Sequence, residues 1–365
     1  MTDDRNGQRP DPLPIKAEAA VLKVTHFSRR PASGAFSIER VFADIRGASP
    51  PHVEIVERRN AHLSKGVIPR LRDALAARRH VSAVNHVTGD VHYLTYFLPR
   101  DRTVLTVHDT IMIERAGGLK RALLLLFWFW LPARRAGWMT AISSESKRRL
   151  LKLVAFDPDR IVVIPNPVSI NFSTSPPPFR EGPVRLLHIG TKSNKNLERV
   201  IPALEGLDVE LTVIGQMTEA QTALLHRHDV AHRTRQGLDD VALRAEYARA
   251  EVIVFVSLEE GFGLPIIEAQ ASGRPVITAA RAPMDEVAGN AALLVDPEDI
   301  EEIRAAVIQI IESSELRAEL VAKGKKNVEQ YSATTIARKY ADLYTQIDRA
   351  TGNNPSIPIV EKASR

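Results

Sequence analysis

The chain has 365 residues, no cysteine and a formal net charge of +5. This length exceeds the usual limit of a single hydrophobic core, so we expect two domains. The lack of cysteine excludes disulfides and thiolate metal sites. The mildly basic charge suits an anionic partner, such as a phosphate, a nucleotide, a nucleic acid or a membrane surface.

Both ends of the chain have the composition of tails. Residues 1–20 are polar and rich in proline, and they lack the apolar core of a secretory signal. We expect a disordered tail there and a loose tail over 351–365. The expected location is the cytoplasm, with a peripheral position at the inner face of the membrane as the alternative.

Residues 21–172 alternate short apolar runs with helical patterns, which predicts parallel βαβ units with helices on both faces of the sheet. The predicted strands cover 21–27, 53–57, 82–87, 103–109, 137–143 and 160–165. The predicted helices include 37–45, 66–78 and 144–154.

The longest apolar run, ALLLLFWFWLPA, covers residues 122–133. It is too short to span a bilayer, and Pro132 interrupts it. Four cations flank the run, namely Lys120, Arg121, Arg134 and Arg135. A buried helix is one interpretation, and a helix lying on an anionic membrane surface is the other.

The alternation restarts after a proline-rich segment, residues 173–183, which we interpret as an interdomain linker. The predicted strands of the second domain, 184–331, cover 184–190, 208–214, 251–257 and 274–279. A C-terminal helix over 332–350 is expected to pack back on the first domain. The predicted fold class is α/β, with two tandem Rossmann-like doubly wound domains that face a cleft.

The stretch EEGFGLPIIEA, residues 259–269, follows a very apolar predicted strand. Ligands of doubly wound sheets bind at the carboxyl ends of strands, so this loop is a candidate site. Its glycines permit close approach of a ligand, and the helix that begins near Pro265 favours an anion at its N-terminus. Glu260 and Glu268 can each accept hydrogen bonds from a sugar diol, although each alone also fits an ordinary surface acid.

The longer stretch EEGFGLPIIEAQASGRPVITA resembles the signature of the retaining, GT-B-fold glycosyltransferases of family four (glycosyltransferase group 1). The hallmark of that family is two glutamates with seven residues between them, and Glu260 and Glu268 match it. Residues 187–204 and 282–299 extend the resemblance, which covers roughly residues 100–345.

The resemblance implies a nucleotide-sugar donor of the UDP or GDP type, with no metal ion and no further cofactor. Glu268 would bind the ribose, Glu260 the transferred sugar and Lys195 the diphosphate. The implied donor site comprises Gly34, Gly190, Thr191, Lys192, Lys195, Gly261, Phe262, Gly263, Leu264 and Glu268.

One departure from the family pattern concerns the diphosphate. The family usually has an arginine beside the lysine, whereas this chain has Thr191 and Asn194 at those places. Lys192 is the available substitute, but an ammonium is a point charge and not a bidentate fork.

In the first half, His108 ends a predicted strand and matches a family histidine near the transferred sugar. A lone histidine at such a position is as often structural as it is functional. The resemblance implies that His108, with Glu260 the predicted catalytic pair, hydrogen-bonds the sugar or its leaving oxygen; Asp109 fits a capping role. Acceptors of this family, here a carbohydrate or a lipid-linked oligosaccharide, bind the first domain. The predicted acceptor wall consists of His86, Asp90, His92 and Tyr93.

Rival functions fit the sequence less well. A metal clasp at Asp157 and Asp159 would precede a strand instead of following it, so those residues more naturally form a turn. Nucleic-acid binding is not predicted, because no recognition module is visible and aromatic residues make up 5% of the chain. A nucleotide-sugar epimerase and a non-catalytic nucleotide-sugar binder of the same architecture remain the alternatives.

Overall fold

The computed structural model describes residues 21–30, 37–114, 116–168 and 182–352. The predicted N-terminal tail, Gly34, most of the predicted linker and residues from 353 onward lie outside the described residues. The described chain forms two six-stranded parallel sheets with helices around them. This confirms the predicted α/β class with two doubly wound domains.

The first sheet has the strand order β2-β1-β3-β4-β5-β6. Its central strands are buried on both faces, as is typical of parallel sheets covered by helices. The strands are β1 Leu22–Ser28, β2 Val53–Arg59, β3 Val84–Val87, β4 Thr103–Val107, β5 Trp138–Ala141 and β6 Ile161–Val163.

The helices of the first half follow the predicted pattern. They are α1 Ser37–Gly47, α2 Val67–Ala77, α3 Ile111–Glu114, α4 Gly118–Leu124, α5 Leu131–Arg135 and α6 Ser144–Leu153. A π-helical turn, Leu125–Trp130, joins α4 to α5, and we call residues 118–135 the apolar segment. The inner side of this segment is buried at Phe129, while Phe127 remains 49% exposed. The segment is therefore a surface helix and not a fully buried one.

The second sheet has the strand order β12-β11-β10-β7-β8-β9. The strands are β7 Val184–Ile189, β8 Val209–Ile214, β9 Ala231–Arg235, β10 Val252–Phe255, β11 Val276–Ala279 and β12 Leu293–Val295. The sequence did not predict β9 and β12. Both are edge strands, and β9 has the polar sequence AHRTR with no buried residue, so no apolar run marks it.

The helices of the second half are capped by side chains at several N-termini. Thr218 and Gln221 form a capping box at α8, and Asp239, Asp299, Ser313 and Ser332 cap α9, α12, α13 and α14. The helices are α7 Leu197–Ala203, α8 Glu219–Arg227, α9 Asp240–Arg249, α10 Leu264–Ala271, α11 Met284–Ala288, α12 Ile300–Glu312, α13 Ser314–Val328 and α14 Ala333–Ala350.

The last helix, α14, packs against the first sheet through a buried polar network. The hydroxyl of Tyr344 lies 2.8 Å from Nε2 of His26 and 2.6 Å from Nδ1 of His86. Nε2 of His86 in turn lies 2.7 Å from the hydroxyl of Thr106. Burial lowers the pKa of His86 to about 3, with a smaller contribution from His108, and burial also lowers the pKa of His26 well below its ordinary value. Both rings are therefore neutral at physiological pH.

These buried histidines should make the protein sensitive to acid. An unfolded histidine has a pKa of about 6.5, so between that pH and about 3 the unfolded chain binds more protons than the folded chain. We expect the free energy of unfolding to fall as the pH drops through this window. The measurement is urea unfolding at pH 7, 6 and 5. The variant His86→Gln should show a shallower pH dependence, whereas His52→Gln, at an exposed position, should match the wild type. Equal slopes for all three proteins would contradict this prediction.

Candidate active site

The loop between β10 and α10 places Glu260 at the carboxyl end of the second sheet. Gly263 ends this loop with a φ of 104°, in the left-handed region that glycine adopts most easily. Pro265 follows in the first turn of α10, where its missing N–H costs no intrahelical bond. Ile266 and Ile267 are fully buried. These anchors fix the start of the helix, and Glu260 with it.

Lys195 and Glu260, which are 65 residues apart in the sequence, meet in the structure. Nζ of Lys195 donates to Oε1 of Glu260 at 2.5 Å and lies 4.7 Å from the ring centroid of Phe255. The side chains of the pair are 19% and 14% exposed. Gly190, with a φ of 96°, makes room for the lysine, because a Cβ there would lie 2.8 Å from Cγ of Lys195. The structure thus brings two predicted donor-site residues, Gly190 and Lys195, together with Glu260, which was predicted to be catalytic.

Asn194 and Asn196 tie the lysine turn to the glutamate loop. Nδ2 of Asn194 donates to the carbonyl of Glu259 at 3.0 Å, and the amide of Leu258 donates to the carbonyl of Asn194 at 2.8 Å. Asn196 has a left-handed φ of 65° and its Nδ2 donates to the carbonyl of Val256 at 3.1 Å. Sequence reasoning missed this positioning function. The available signal was an asparagine directly before a helical pattern, since asparagine tolerates this conformation.

Glu268 is 6% exposed and lies inside α10. The hydroxyl of Tyr247 donates to its Oε2 at 2.7 Å. Burial raises the pKa of the Glu268 carboxyl, while the Tyr247 hydrogen bond and the charge of Arg40 oppose that rise. Arg40 on α1 forms an ion pair with Asp240 on α9. Glu268 therefore lies near a point where the two halves of the chain meet, and its predicted contact with a ribose stays a prediction.

Gly261 makes a close contact with the first half of the chain. A Cβ at this position would lie 2.8 Å from the carbonyl oxygen of His108 and 3.2 Å from Cβ of Asp109. The hydroxyls of Ser143 and Ser146 donate to the carbonyl of Gly261 at 2.9 and 3.0 Å. The sequence predicted this glycine for the approach of a ligand. In the structure the close approach is that of the other domain.

His108 lies at the end of β4, facing the same junction. It is 8% exposed, and its Nε2 donates to the carbonyl of Thr88 at 2.9 Å. Because a carbonyl only accepts, Nε2 carries the proton in this contact. Asp109 accepts the amide of Ile111 at 3.1 Å, as a cap does. The structure thus places His108 beside Gly261, the residue that follows Glu260.

An ion-pair network also joins the two halves. Arg149 on α6 contacts Glu145 at 2.6 Å, Glu114 at 3.1 Å and Glu259 at 2.5 Å. Glu259 belongs to the glutamate loop, so Arg149 links that loop to the first domain. The sequence signals the pair of Glu145 and Arg149 through its i,i+4 spacing, but it does not reveal the contact with Glu259.

The other predicted donor-site residues differ in how exposed they are and in what they contact. The hydroxyl of Thr191 donates to the carbonyl of Gln216 at 2.6 Å, so it serves the neighbouring turn. Lys192 is exposed. The ring of Phe262 is buried against Tyr331, with ring centroids 5.8 Å apart, and faces the core rather than the cleft. Leu264 begins α10 and is half-buried.

Three of the four residues of the predicted acceptor wall are buried, so the prediction that they form a binding surface is largely wrong. His86 is fully buried in the network with Tyr344, and His92 is buried with its Nδ1 donating to the carbonyl of Trp128 at 2.6 Å. The hydroxyl of Tyr93 is held by Asn60 and Ser64. The physical reason is that His86 lies in β3, a central strand whose two faces are both covered, while His92 and Tyr93 lie in a short helical turn, His92–Phe97, that packs against α2. Of the four predicted residues, Asp90 alone has an exposed side chain, at 54%.

Two further observations concern metals and membranes. Oδ1 of Asp157 accepts the amide of Asp159 at 3.0 Å, so these residues form the turn before β6. Within the described ranges, we find no group of three histidine, aspartate or glutamate side chains placed to hold a metal ion. Over the same ranges, every helix falls short of the length and apolarity needed to cross a bilayer.

Comparison with known proteins matches the two halves to two adjoining family models. The model described as "Glycosyltransferase Family 4" matches residues 21–172, and the model described as "Glycosyl transferases group 1" matches residues 172–327. Together these models cover the described sheets and the candidate site.

Among curated relatives, the MMP alpha-(1->4)-mannosyltransferase of Mycolicibacterium hassiacum is 31% identical over 229 residues, which cover 58% of this chain and 54% of that protein. The O-antigen chain mannosyltransferase B of Escherichia coli is 32% identical over 160 residues, 40% of this chain and 42% of that protein. The chain spans about half the length of the curated relatives it matches.

Solved structures resemble the whole fold. Anabaena HepE in complex with UDP and glucose superposes with a TM-score of 0.71 at 16% identity, covering 89% of this chain and 100% of that one. A sucrose-phosphate synthase from Thermosynechococcus elongatus has a TM-score of 0.69 at 16% identity, covering 90% of this chain and 100% of that one. At this identity the likeness shows the fold, which confirms the predicted GT-B arrangement.

The contact at Gly261 can be tested by adding one methyl group. Gly261→Ala places a Cβ against the backbone of His108, and overpacking of this kind typically costs about 1–3 kcal/mol. We expect the two domains to separate partly, which small-angle X-ray scattering would detect as a larger radius of gyration. The control is Gly117→Ala, where a Cβ meets nothing within 4 Å. Identical scattering from both variants would show that the contact does not hold the domains together.

Proposed function

Because the chain belongs to the group 1 glycosyltransferases, we propose that it transfers a sugar from a nucleoside-diphosphate sugar to an acceptor hydroxyl. The acceptor is a carbohydrate or a lipid-linked oligosaccharide, in the synthesis of a surface polysaccharide or glycolipid. Relatives whose names describe mannosyltransferases support this class of reaction. We also propose that the transfer retains the configuration of the sugar and needs no metal ion. The protein would contact an anionic membrane peripherally.

The observation that carries the proposal is the pair of Lys195 and Glu260 at the carboxyl ends of the second sheet. A diphosphate has the charge to attract Lys195 away from Glu260. The released carboxylate would then accept hydrogen bonds from hydroxyls of the transferred sugar. One pair thus supplies a cation for the leaving group and an anion for the sugar, and each partner neutralises the other when no donor is bound.

Stabilisation of the departing diphosphate has a second source in α10. The helix begins directly after the glutamate loop, and its N-terminal end carries a partial positive charge. Positioned dipoles and cations stabilise charge that develops during bond cleavage. Lys192 is exposed next to this region and adds a second ammonium where the family usually has an arginine.

The acceptor would approach from the first domain, where His108 ends β4. Its backbone touches Gly261, so the sugar bound at Glu260 would lie close to the imidazole. The Nε2 proton of His108 is engaged by Thr88, which fixes the ring for a hydrogen bond to the sugar through the other nitrogen. Closure of the two domains would bring donor and acceptor together.

Nucleotide binding is the first test of this proposal. We expect isothermal titration calorimetry with UDP, GDP and ADP to show tight binding of one uracil or guanine nucleotide, unchanged by EDTA. Binding of none of the three would refute the donor site. Binding only when a divalent metal ion is present would refute metal independence.

The role of Glu260 is tested by Glu260→Gln, which keeps the shape and removes the charge. We expect at least a tenfold loss of transfer rate, equivalent to about 1.4 kcal/mol, with nucleoside-diphosphate affinity nearly intact. The control is Glu312→Gln, at an exposed position at the end of α12. Full activity of Glu260→Gln would refute the assignment of this residue to the sugar.

A further inference from the structure

A large apolar groove lies between α2 and the apolar segment, away from Lys195 and Glu260. Its volume is about 670 Å³, within the range of about 300–1,000 Å³ that is usual for small-molecule sites. Leu71 and Ala74 of α2 form one wall, and Leu123, Phe127 and Trp128 form the other. The groove is open to the surface and has the mainly apolar and aromatic lining of a ligand site.

The rim of the groove exposes apolar side chains to an unusual degree. Val67 and Leu119 are 79% and 76% exposed, and Leu123 and Phe127 are 47% and 49% exposed. Contiguous apolar surface of this kind marks a binding site in soluble proteins. Covering it releases roughly 25 cal/mol for each Å² of apolar area removed from water. The groove therefore favours a long hydrocarbon group.

Two cations lie in this apolar lining. Arg70 and Lys120 line the groove, and within the described part of the chain we find no ion pair for either. The guanidinium of Arg70 lies 4.8 Å from the ring centroid of Trp128, and one of its nitrogens donates to the carbonyl of Ser64 at 2.7 Å. Its Nε is enclosed without a hydrogen-bond partner among the described residues. The groove thus offers positive charge to an anionic head group.

The loop that follows β3 links the groove to Thr88, the hydrogen-bond partner of His108. Tyr93 lines the groove. It follows Thr88 by five residues, and the carbonyl of Thr88 accepts the Nε2 proton of His108. Between them, Asp90 has an exposed side chain. His92 fastens this loop to the apolar segment through the carbonyl of Trp128. The loop that follows β3 therefore contributes both to the groove and to the surroundings of His108.

We propose that this groove binds the hydrocarbon chain of an anionic, lipid-linked acceptor, with Arg70 and Lys120 holding its phosphate. The acceptor sugar would then extend from the phosphate toward His108. This inference rests on the proposed glycosyl transfer and specifies its acceptor class. The charge and the apolar walls act together, so an uncharged amphiphile or a hydrophilic phosphate binds less well.

The test uses dodecyl phosphate below its critical micelle concentration as the probe, measured by calorimetry on the full chain. We expect one molecule to bind, with an affinity at least tenfold weaker in Leu123→Asp and several-fold weaker in Lys120→Gln. The matched control is Val241→Asp, which changes a 66% exposed valine on α9 and should bind as the wild type does. Binding of UDP or GDP should be the same in all four proteins, which separates the groove from the donor site.

Three results would overturn the proposal. The first is no binding of dodecyl phosphate to the wild type. The second is an affinity for dodecyl phosphate that is the same in Leu123→Asp and Val241→Asp, or a wild-type affinity for dodecyl maltoside that equals its affinity for dodecyl phosphate. The third is binding only to vesicles of anionic phosphatidylglycerol and not to the monomeric probe, which would make the groove a membrane-contact surface. A wild-type chain that binds dodecyl phosphate but no nucleotide would support the lipid site and refute the donor proposal instead.

Discussion

The contact between Gly261 and the backbone of His108 is the constraint on which the rest of the candidate site depends. It joins the carboxyl ends of two sheets that belong to different halves of the chain, and only a residue without a side chain fits there. Ser143 and Ser146 reinforce the contact by donating to the carbonyl of Gly261, and Arg149 adds an ion pair to the neighbouring loop. Because Glu260 precedes Gly261 directly, the same contact sets the distance between the candidate sugar-binding carboxylate and the first domain.

Two charged side chains of the candidate donor site, Lys195 and Glu260, balance each other in an ion pair. Partly buried charges are costly unless they are paired, and Lys195 and Glu260 satisfy each other in the absence of a ligand. Under the proposed function, a nucleoside-diphosphate sugar would exchange this ion pair for an ion pair between Lys195 and the diphosphate and for hydrogen bonds from sugar hydroxyls to Glu260. Asn196 and Gly190 make this exchange possible, because they hold the lysine turn through backbone geometry that does not depend on the ion pair.

The sequence predicted the sheets well, since the central strands are short apolar runs and their order along the chain alternates with helices. It missed β9 because an exposed edge strand needs no apolar pattern. It also paired Lys195 with the glutamate loop only through family resemblance, since no local pattern reports a contact over 65 residues. The histidines of β3 and its following loop were misassigned for a related reason. A polar residue in a strand gives no sign of whether its partner is solvent, a ligand or, as for His86, a tyrosine from the far end of the chain.

That tyrosine belongs to α14, and its position has a consequence for how the protein is made. The first sheet is complete in sequence at β6, yet part of its core is contributed by residues 336–347. A nascent chain leaves the ribosome from its N-terminus at about 5–20 residues per second, so the first domain waits roughly ten seconds or more for its last helix. During this interval the second domain can fold around its own core, while the rings of His26 and His86 lack their hydroxyl partner. The first domain is therefore synthesised first, but its core can be completed only after α14 has been made.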